Sequence, residues 1–207
     1  MPGTMILPGT MILEGLVTTT DPTGALHLAA MGPQLDAAER QAGLITRLVF
    51  RPFPTSRTAG NLLHHRAGVF HVTDDVLLLA MVVGGRLATP PAARLAAVVP
   101  GFVLQDACRA WEFEIDSVDD SGQRLVLGAR VVAEHAGRPF LGFNRAAHAV
   151  VEAAIIVTRL HLLEPADLRR QFAALAVLVE KTGGHREREA FDLLAALLDG
   201  GAAAGID

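Results

Sequence analysis

The chain has 207 residues, 51 % hydrophobic and 19 % charged, and a formal net charge of −4. That suits one sizeable domain, alone or with an appendage, and excludes a disordered chain. The acidic balance argues against a nucleic-acid-binding surface, and no apolar run approaches the roughly 18 residues of a membrane span. The single Cys108 excludes an internal disulfide and suits a reducing compartment such as the cytoplasm.

Pro2–Leu7 and Pro8–Leu13 both read Pro-Gly-Thr-Met-Ile-Leu. This tandem repeat lacks the basic start and long apolar middle of a signal peptide. Residues 1–11 therefore read as a duplicated or misassigned extension, with Met11 close to the start of the fold. Met11–Thr20 is rich in β-branched residues and reads as a first strand. It ends at Asp21-Pro22-Thr23-Gly24, a strong turn signal. Ala25–Met31 is the returning strand of a hairpin, stopped by Gly32-Pro33. Pro33–Gln41 is a polar connection with one helical turn.

Gly43–Phe50 is a third strand. It feeds a loop stiffened by Pro52 and Pro54, and Thr58–Arg66 follows as a short helix ending before Gly68. Thr55, Ser56 and Thr58 place three hydroxyls within four positions, between Arg51 and Arg57. Ser56 or Thr58 serves as an ordinary N-cap. Bracketing by two cations at the positive end of a helix also makes a site for a phosphate or carboxylate, the reading that the two arginines favour. Val69–Thr73 is a short strand. Asp74 and Asp75 cap a helix over Val76–Val83, closed by Gly84-Gly85.

Arg86–Gly101 carries no clear pattern. Val103–Val118 reads as one strand with a bulge. Trp111, Phe113 and Ile115 alternate with Glu112, Glu114 and Asp116, which places the acids on the opposite, outer face. Gln123–His135 is its hairpin partner. Cys108 lies in this strand without an activating motif and reads as a buried structural thiol. Up to about Phe143 the chain is mainly β, favouring a small barrel of six or seven strands.

The remainder is helical: Arg145–Leu163 capped by Asn144, a second helix from Pro165 to Lys181, and a third over His185–Leu198. Arg145, His148, Glu152 and Arg159 fall in one narrow stripe of the first. Either they face solvent, or they line a cleft with Asn144 and Arg145 turned to an anionic ligand. The eight histidines are scattered. His148 with Glu152 has no third ligand placed by sequence, so no metal site is expected. Gly-x-Gly-x-x-Gly, Walker and Gly-x-Ser-x-Gly motifs are absent.

The element Ser56-Arg57-Thr58-Ala59-Gly60-Asn61, followed by Val69-Phe70-His71-Val72, resembles the phosphate-binding stretch of the flavin-reductase-like FMN-binding split barrels. Leu28-Ala29-Ala30-Met31-Gly32-Pro33 resembles their segment beside the isoalloxazine ring. Ile12–Gly15, Arg51–Ser56, Phe70–Asp75, Gly142–Ala146 and Lys181–Gly184 together resemble an uncharacterised family, a domain of unknown function, within that superfamily. The superfamily's basic residue falls at Ser56, its acidic one at Arg57, a usual Pro at Ala30 and a usual Asn at His27.

The resemblance implies a split β-barrel over 12–143 followed by a helical segment over 144–207. It also implies a homodimer holding FMN at the subunit interface. Thr55, Ser56, Thr58 and Asn61 are then the phosphate ligands, helped by Arg51 and Arg57. Met31 and Gly32 lie near the ring, and Asn144, Arg145 and His148 line the ligand cleft. The function implied is a flavin-dependent oxidoreductase with a link to tetrahydromethanopterin-dependent one-carbon metabolism. The alternatives are a flavin carrier or sensor without turnover, or a binder of another phosphorylated metabolite.

Overall fold

In the computed structural model, residues 9–200 are described, so most of the tandem repeat lies outside the described residues. Ten strands and six α-helices divide into two units. One holds residues 9–73 and 90–138, the other residues 74–89 and 139–200.

The first unit is an eight-stranded antiparallel sheet. The sequence suggests six or seven strands. The difference lies in two three-residue strands too short to show a period. What reads as one strand over Met11–Thr20 is β1 (Thr10–Ile12) and β2 (Leu16–Thr20), and its partner is β3 (Leu26–Ala30) with β4 (Gln34–Asp36). β2 pairs β3 at one end of the sheet, and β1 pairs β4 at the other. One bent hairpin therefore supplies both ends, so the sheet curls round on itself. Backbone bonds continue through the bend, Met31 N–H to Gly15 O at 3.0 Å and Leu13 N–H to Pro33 O at 3.1 Å. Gly15 is required there, because a Cβ would collide with the His71 carbonyl and with the Phe70 ring at 2.7 Å.

Between these ends run β5 (Arg47–Phe50), β10 (Val126–Ala136), β9 (Arg109–Asp119) and β6 (Ala67–Val72). Helix α1 (Ala37–Ala42) lies between β4 and β5, and α2 (Arg57–His65) between β5 and β6. The inner face buries Val17, Leu48, Phe50, Leu62, Phe70, Trp111, Phe113 and Leu127. Full burial of each large apolar side chain is worth about 1.5–3 kcal/mol. Phe50 and Phe113 pack with centroids 4.6 Å apart.

The stretch Arg86–Gly101, where the sequence carries no clear pattern, contains β7 (Ala93–Leu95), which pairs as a ribbon with β8 (Phe102–Leu104). The strand expected over Val103–Val118 is therefore broken, and β9 begins only at Arg109. Cys108 precedes β9 and is half-buried rather than fully buried. The ribbon segment covers the outer face, where Val69, Val99, Val103 and Ala110 form a small second core.

The second unit packs α3 (Val76–Val83) against α4 (Arg145–Val157) and α6 (His185–Gly200), and α4 also against α5 (Pro165–Thr182). Its core is apolar throughout, with Val150, Ala153 and Leu194 fully buried. α4 ends at Val157, six residues before the expected Leu163. The Thr158 hydroxyl donates to the Ile155 carbonyl at 2.7 Å, competing with helix propagation, and a short 3-10 turn follows at Leu160–Leu162. Arg159 is therefore outside α4 and leaves the polar stripe.

Candidate functional site

Strand β5 delivers Arg51-Pro52-Phe53-Pro54-Thr55 to the start of α2. The β9–β10 turn, next to β5 in the sheet, holds this loop in place. Arg124 donates to the Arg51 carbonyl at 3.0 Å and lies 3.6 Å above the Phe53 ring. Leu125 N–H donates to the Pro52 carbonyl at 3.2 Å. Arg124 thus supports the loop from 73 positions away, and no local pattern marks it.

Ser56 is the N-cap, its hydroxyl accepting from Ala59 N–H at 3.1 Å. The first turn of α2 holds no acidic residue of its own, which leaves the positive end of its dipole without a compensating side chain on the helix. Thr55 and Arg57 are exposed, while Arg51 is half-buried. Arg57 donates to Asp21 Oδ2 at 3.1 Å. Asp21 belongs to the β2–β3 turn, where its Oδ1 accepts from the Thr23 hydroxyl at 2.6 Å and from Ala25 N–H at 3.0 Å. These bonds, the Thr23 hydroxyl first, hold its carboxyl at about 2.

Thr58 and Asn61 turn inward. Thr58 is fully buried, its Oγ1 3.0 Å from His27 Nε2. Asn61 Nδ2 donates to Thr19 Oγ1 at 2.9 Å. These two side chains pin α2 to β2 and β3. No local pattern tells that His27 and Thr19 are the partners, because Thr19 is one of three successive threonines and both partners come from distant strands. Met31 and Gly32 lie at the hairpin bend. Met31 packs against the inner core, where the Trp111 indole N–H is buried without a hydrogen-bond partner. At Gly32 a Cβ would meet Ile12 Cγ2 at 2.6 Å and Glu14 Oε2 at 2.7 Å, so glycine lets these two side chains pack directly on the backbone of the bend.

Asn144, Arg145 and His148 belong to the helical unit. Asn144 Oδ1 accepts from Ala146 N–H at 2.7 Å and its Nδ2 donates to Thr182 O at 3.3 Å, so it caps α4 and ties it to the end of α5. Arg145 and Glu152 are exposed, and the exposed His148 meets the Phe143 ring edge-on at 5.7 Å. Among the described residues no cluster of His, Cys, Asp or Glu could hold a metal ion, and no helix is long and apolar enough to cross a membrane.

A family model for an N-terminal domain, described as protein of unknown function (DUF447), matches residues 13–138, and its companion model matches residues 144–196. The chain belongs to the DUF447 family. No curated protein matches the chain. Among solved structures, it is similar to an FMN-bound DUF447 protein from Methanosarcina mazei, at 22 % identity and a TM-score of 0.77, over 93 % of this chain and 96 % of that one. It is also similar to the styrene monooxygenase flavin reductase of Pseudomonas putida S12, at 16 % identity and a TM-score of 0.51, over 61 % and 80 %. An FMN-binding protein from Thermus thermophilus, with bound p-hydroxybenzaldehyde, gives 18 % identity and 0.51, over 67 % and 81 %. At these identities the likeness is one of fold. The curled sheet is the flavin-reductase-like split β-barrel, here followed by C-terminal helices.

Proposed function

We propose that this DUF447 member binds FMN, with the phosphate at the start of α2 and the ring along the β3–β4 bend. The observation that carries this reading is the near full-length likeness to an FMN-bound protein of the same family. The residues present fit the group. A helix start with no acidic residue in its first turn, flanked by Arg51 and Arg57, suits a dianionic phosphate, which would compete with Asp21 for Arg57. The Trp111 indole N–H, buried without a partner, is a donor left over in the core against which Met31 of the bend packs.

The Thr55 and Ser56 hydroxyls and the Arg51 and Arg57 guanidinium groups hold the phosphate. Thr58 and Asn61 are positioning residues: they act by fixing α2 on β2–β3. Bound flavin supplies the electron-accepting ring, while the protein supplies orientation and charge. The activity that follows is that of a flavin-dependent oxidoreductase. It works as a cytoplasmic homodimer with flavin between subunits, and serves tetrahydromethanopterin-linked one-carbon chemistry.

Titration with FMN and with riboflavin tests the reading. FMN binds at least about tenfold more tightly, worth about 1.4 kcal/mol, and Arg57→Ala with Ser56→Ala removes that preference without changing riboflavin affinity. Equal affinity for both flavins would take the phosphate site away from α2. Steady NADH or NADPH oxidation by the loaded protein then establishes turnover.

A further inference from the structure

The outer face of the sheet carries a second constellation, away from the flavin loop. Glu112 sits on β9 among the acids that alternate outward, yet it is 0 % exposed. The β7–β8 segment folds over it. Ala97 and Val98 N–H groups donate to its carboxylate at 2.6 and 2.7 Å, and Val99 N–H at 3.0 Å. His135 of β10 completes the set, Nε2 to Glu112 Oε1 at 2.6 Å. Burial acts to raise the Glu112 carboxyl, but these four donors outweigh it and hold it lowered. The carboxylate therefore stays ionised and fully bonded.

This fixes the other ring nitrogen. A carboxylate on Nε2 makes that atom the donor and leaves His135 Nδ1 with a lone pair. Arg94 of β7 donates to Nδ1 at 3.1 Å, and a guanidinium can only donate. Nδ1 faces a cleft of about 80 Å³ lined by Arg94, Arg109, His135, Gln105, Val103 and Leu104. That volume suits two or three waters or one small anion. Arg94 and His135 supply its cationic and titratable side chains, and no carboxylate lines it; Arg109 borders it from β9, with its guanidinium paired to Glu134 and over the Trp111 ring.

On β10, Leu127 pairs with Phe50 just before the flavin loop. His135 lies eight positions further on, roughly 25 Å along a strand at about 3.3 Å per residue. The two sites are thus at opposite ends of the same strand.

We propose that this cleft is a second ligand site for the oxyanion group of a small metabolite, a carboxylate or a phosphate, and that the anion enters together with a proton taken from solvent onto His135 Nδ1. In the structure Arg94 donates to the Nδ1 lone pair. An entering oxyanion draws Arg94 to itself, and Nδ1 then gains a proton and donates to the anion. The imidazolium is held from behind by Glu112. The other charged groups around it are Arg109, which pairs with Glu134, and the buried His71, whose Nε2 accepts from Leu104 N–H at 3.1 Å. Burial, partly offset by the bond to the Leu16 carbonyl, keeps His71 neutral and lowers it to about 4. It therefore leaves the charging to His135. This inference stands independently of flavin binding.

Calorimetric titration of the full chain with inorganic phosphate, and separately with acetate, tests it. FMN-saturated protein is used so that the α2 loop is filled, and Arg57→Ala protein in parallel so that the result does not depend on FMN being bound. One anion binds per chain in the millimolar range or tighter. Repetition in buffers of different ionisation heat shows net proton uptake on binding. Arg94→Gln lowers affinity at least tenfold and leaves FMN affinity unchanged. His135→Gln, which keeps a donor for Glu112, abolishes proton uptake with the melting temperature retained. Stronger binding of phosphate or of acetate says which group the cleft is built for. Absence of anion heat with either probe, unchanged affinity in Arg94→Gln, or binding without proton uptake would each overturn the proposal.

Discussion

The two units treat polar side chains in opposite ways. Among the described residues, all ten buried polar or charged side chains, from Thr18 to Glu112, lie in the sheet unit. The helical unit buries hydrocarbon and leaves Arg145, His148 and Glu152 on its surface. A helix satisfies its own backbone, so an amphipathic bundle needs no internal polar groups. The curled sheet has an ordered interior and a ribbon folded over its outside, and the loops crossing these faces bring N–H groups that need acceptors. Glu112 is such an acceptor, and Thr58 and Asn61 fasten a helix in the same manner. Buried polar side chains here mark where irregular backbone is held in one place.

Glu112→Ala should sharpen that contrast most. It removes the acceptor of three backbone N–H groups and of His135, and a loss of about 4 kcal/mol is expected in urea unfolding, as for breaking other buried ionic sets. A loss below about 1 kcal/mol would mean that the ribbon is held by its apolar contacts alone.

Acid titration comes next. His71 is 0 % exposed and held neutral, its value lowered from 6.5 to about 4, chiefly by burial. Below about pH 6.5 the unfolded chain takes up a proton that the folded chain refuses. The stabilisation is therefore complete above that pH and drains away as pH falls toward 4, by about 3 kcal/mol in all. The Asp21 carboxylate adds a loss at lower pH, as the solution moves from about 4 toward its folded value of about 2. Melting temperature followed from neutral to acid pH reads both, and a flat profile between pH 7 and about 4.5 would contradict the first.

Asn61→Ala should cost about 1–2 kcal/mol by leaving Thr19 without its partner, and should weaken FMN binding more than riboflavin binding if α2 is what it positions. The smallest effect belongs to the helical unit. Glu152→Ala on the exposed stripe of α4 should change stability by less than about 0.5 kcal/mol; a loss above about 1 kcal/mol would show that the stripe is buried in the working assembly.

Much of this was legible beforehand. Asp21, Ser56, Asp75 and Asn144 announce their turn and caps through local hydrogen bonding, and each performs that role. A mainly β body with a helical tail followed from the strand-to-helix change near Phe143, and the split barrel from the family resemblance of the loop and strand motifs. The failures share one cause. Glu112 obeys the alternation of β9, and only a chain segment 13–15 residues away turns its outward position into an interior one. β7 and β8 have three residues each, below the length at which a period can be read. The outward and inward faces of α2 are likewise decided by β2 and β3. A cap fixes where a helix starts, and tertiary partners fix what its polar residues touch.

The bent hairpin has a consequence for registration errors. In an ordinary open sheet, a one-residue slip at an edge strand spoils one seam and is tolerated there. Here β1 and β2 are one arm, β3 and β4 the other, and the arms serve opposite ends of the sheet. A slip at the Asp21–Gly24 turn would run the length of both arms and invert side chains at both ends together. The clasp therefore acts as a proofreader of strand pairing: it closes correctly twice or not at all.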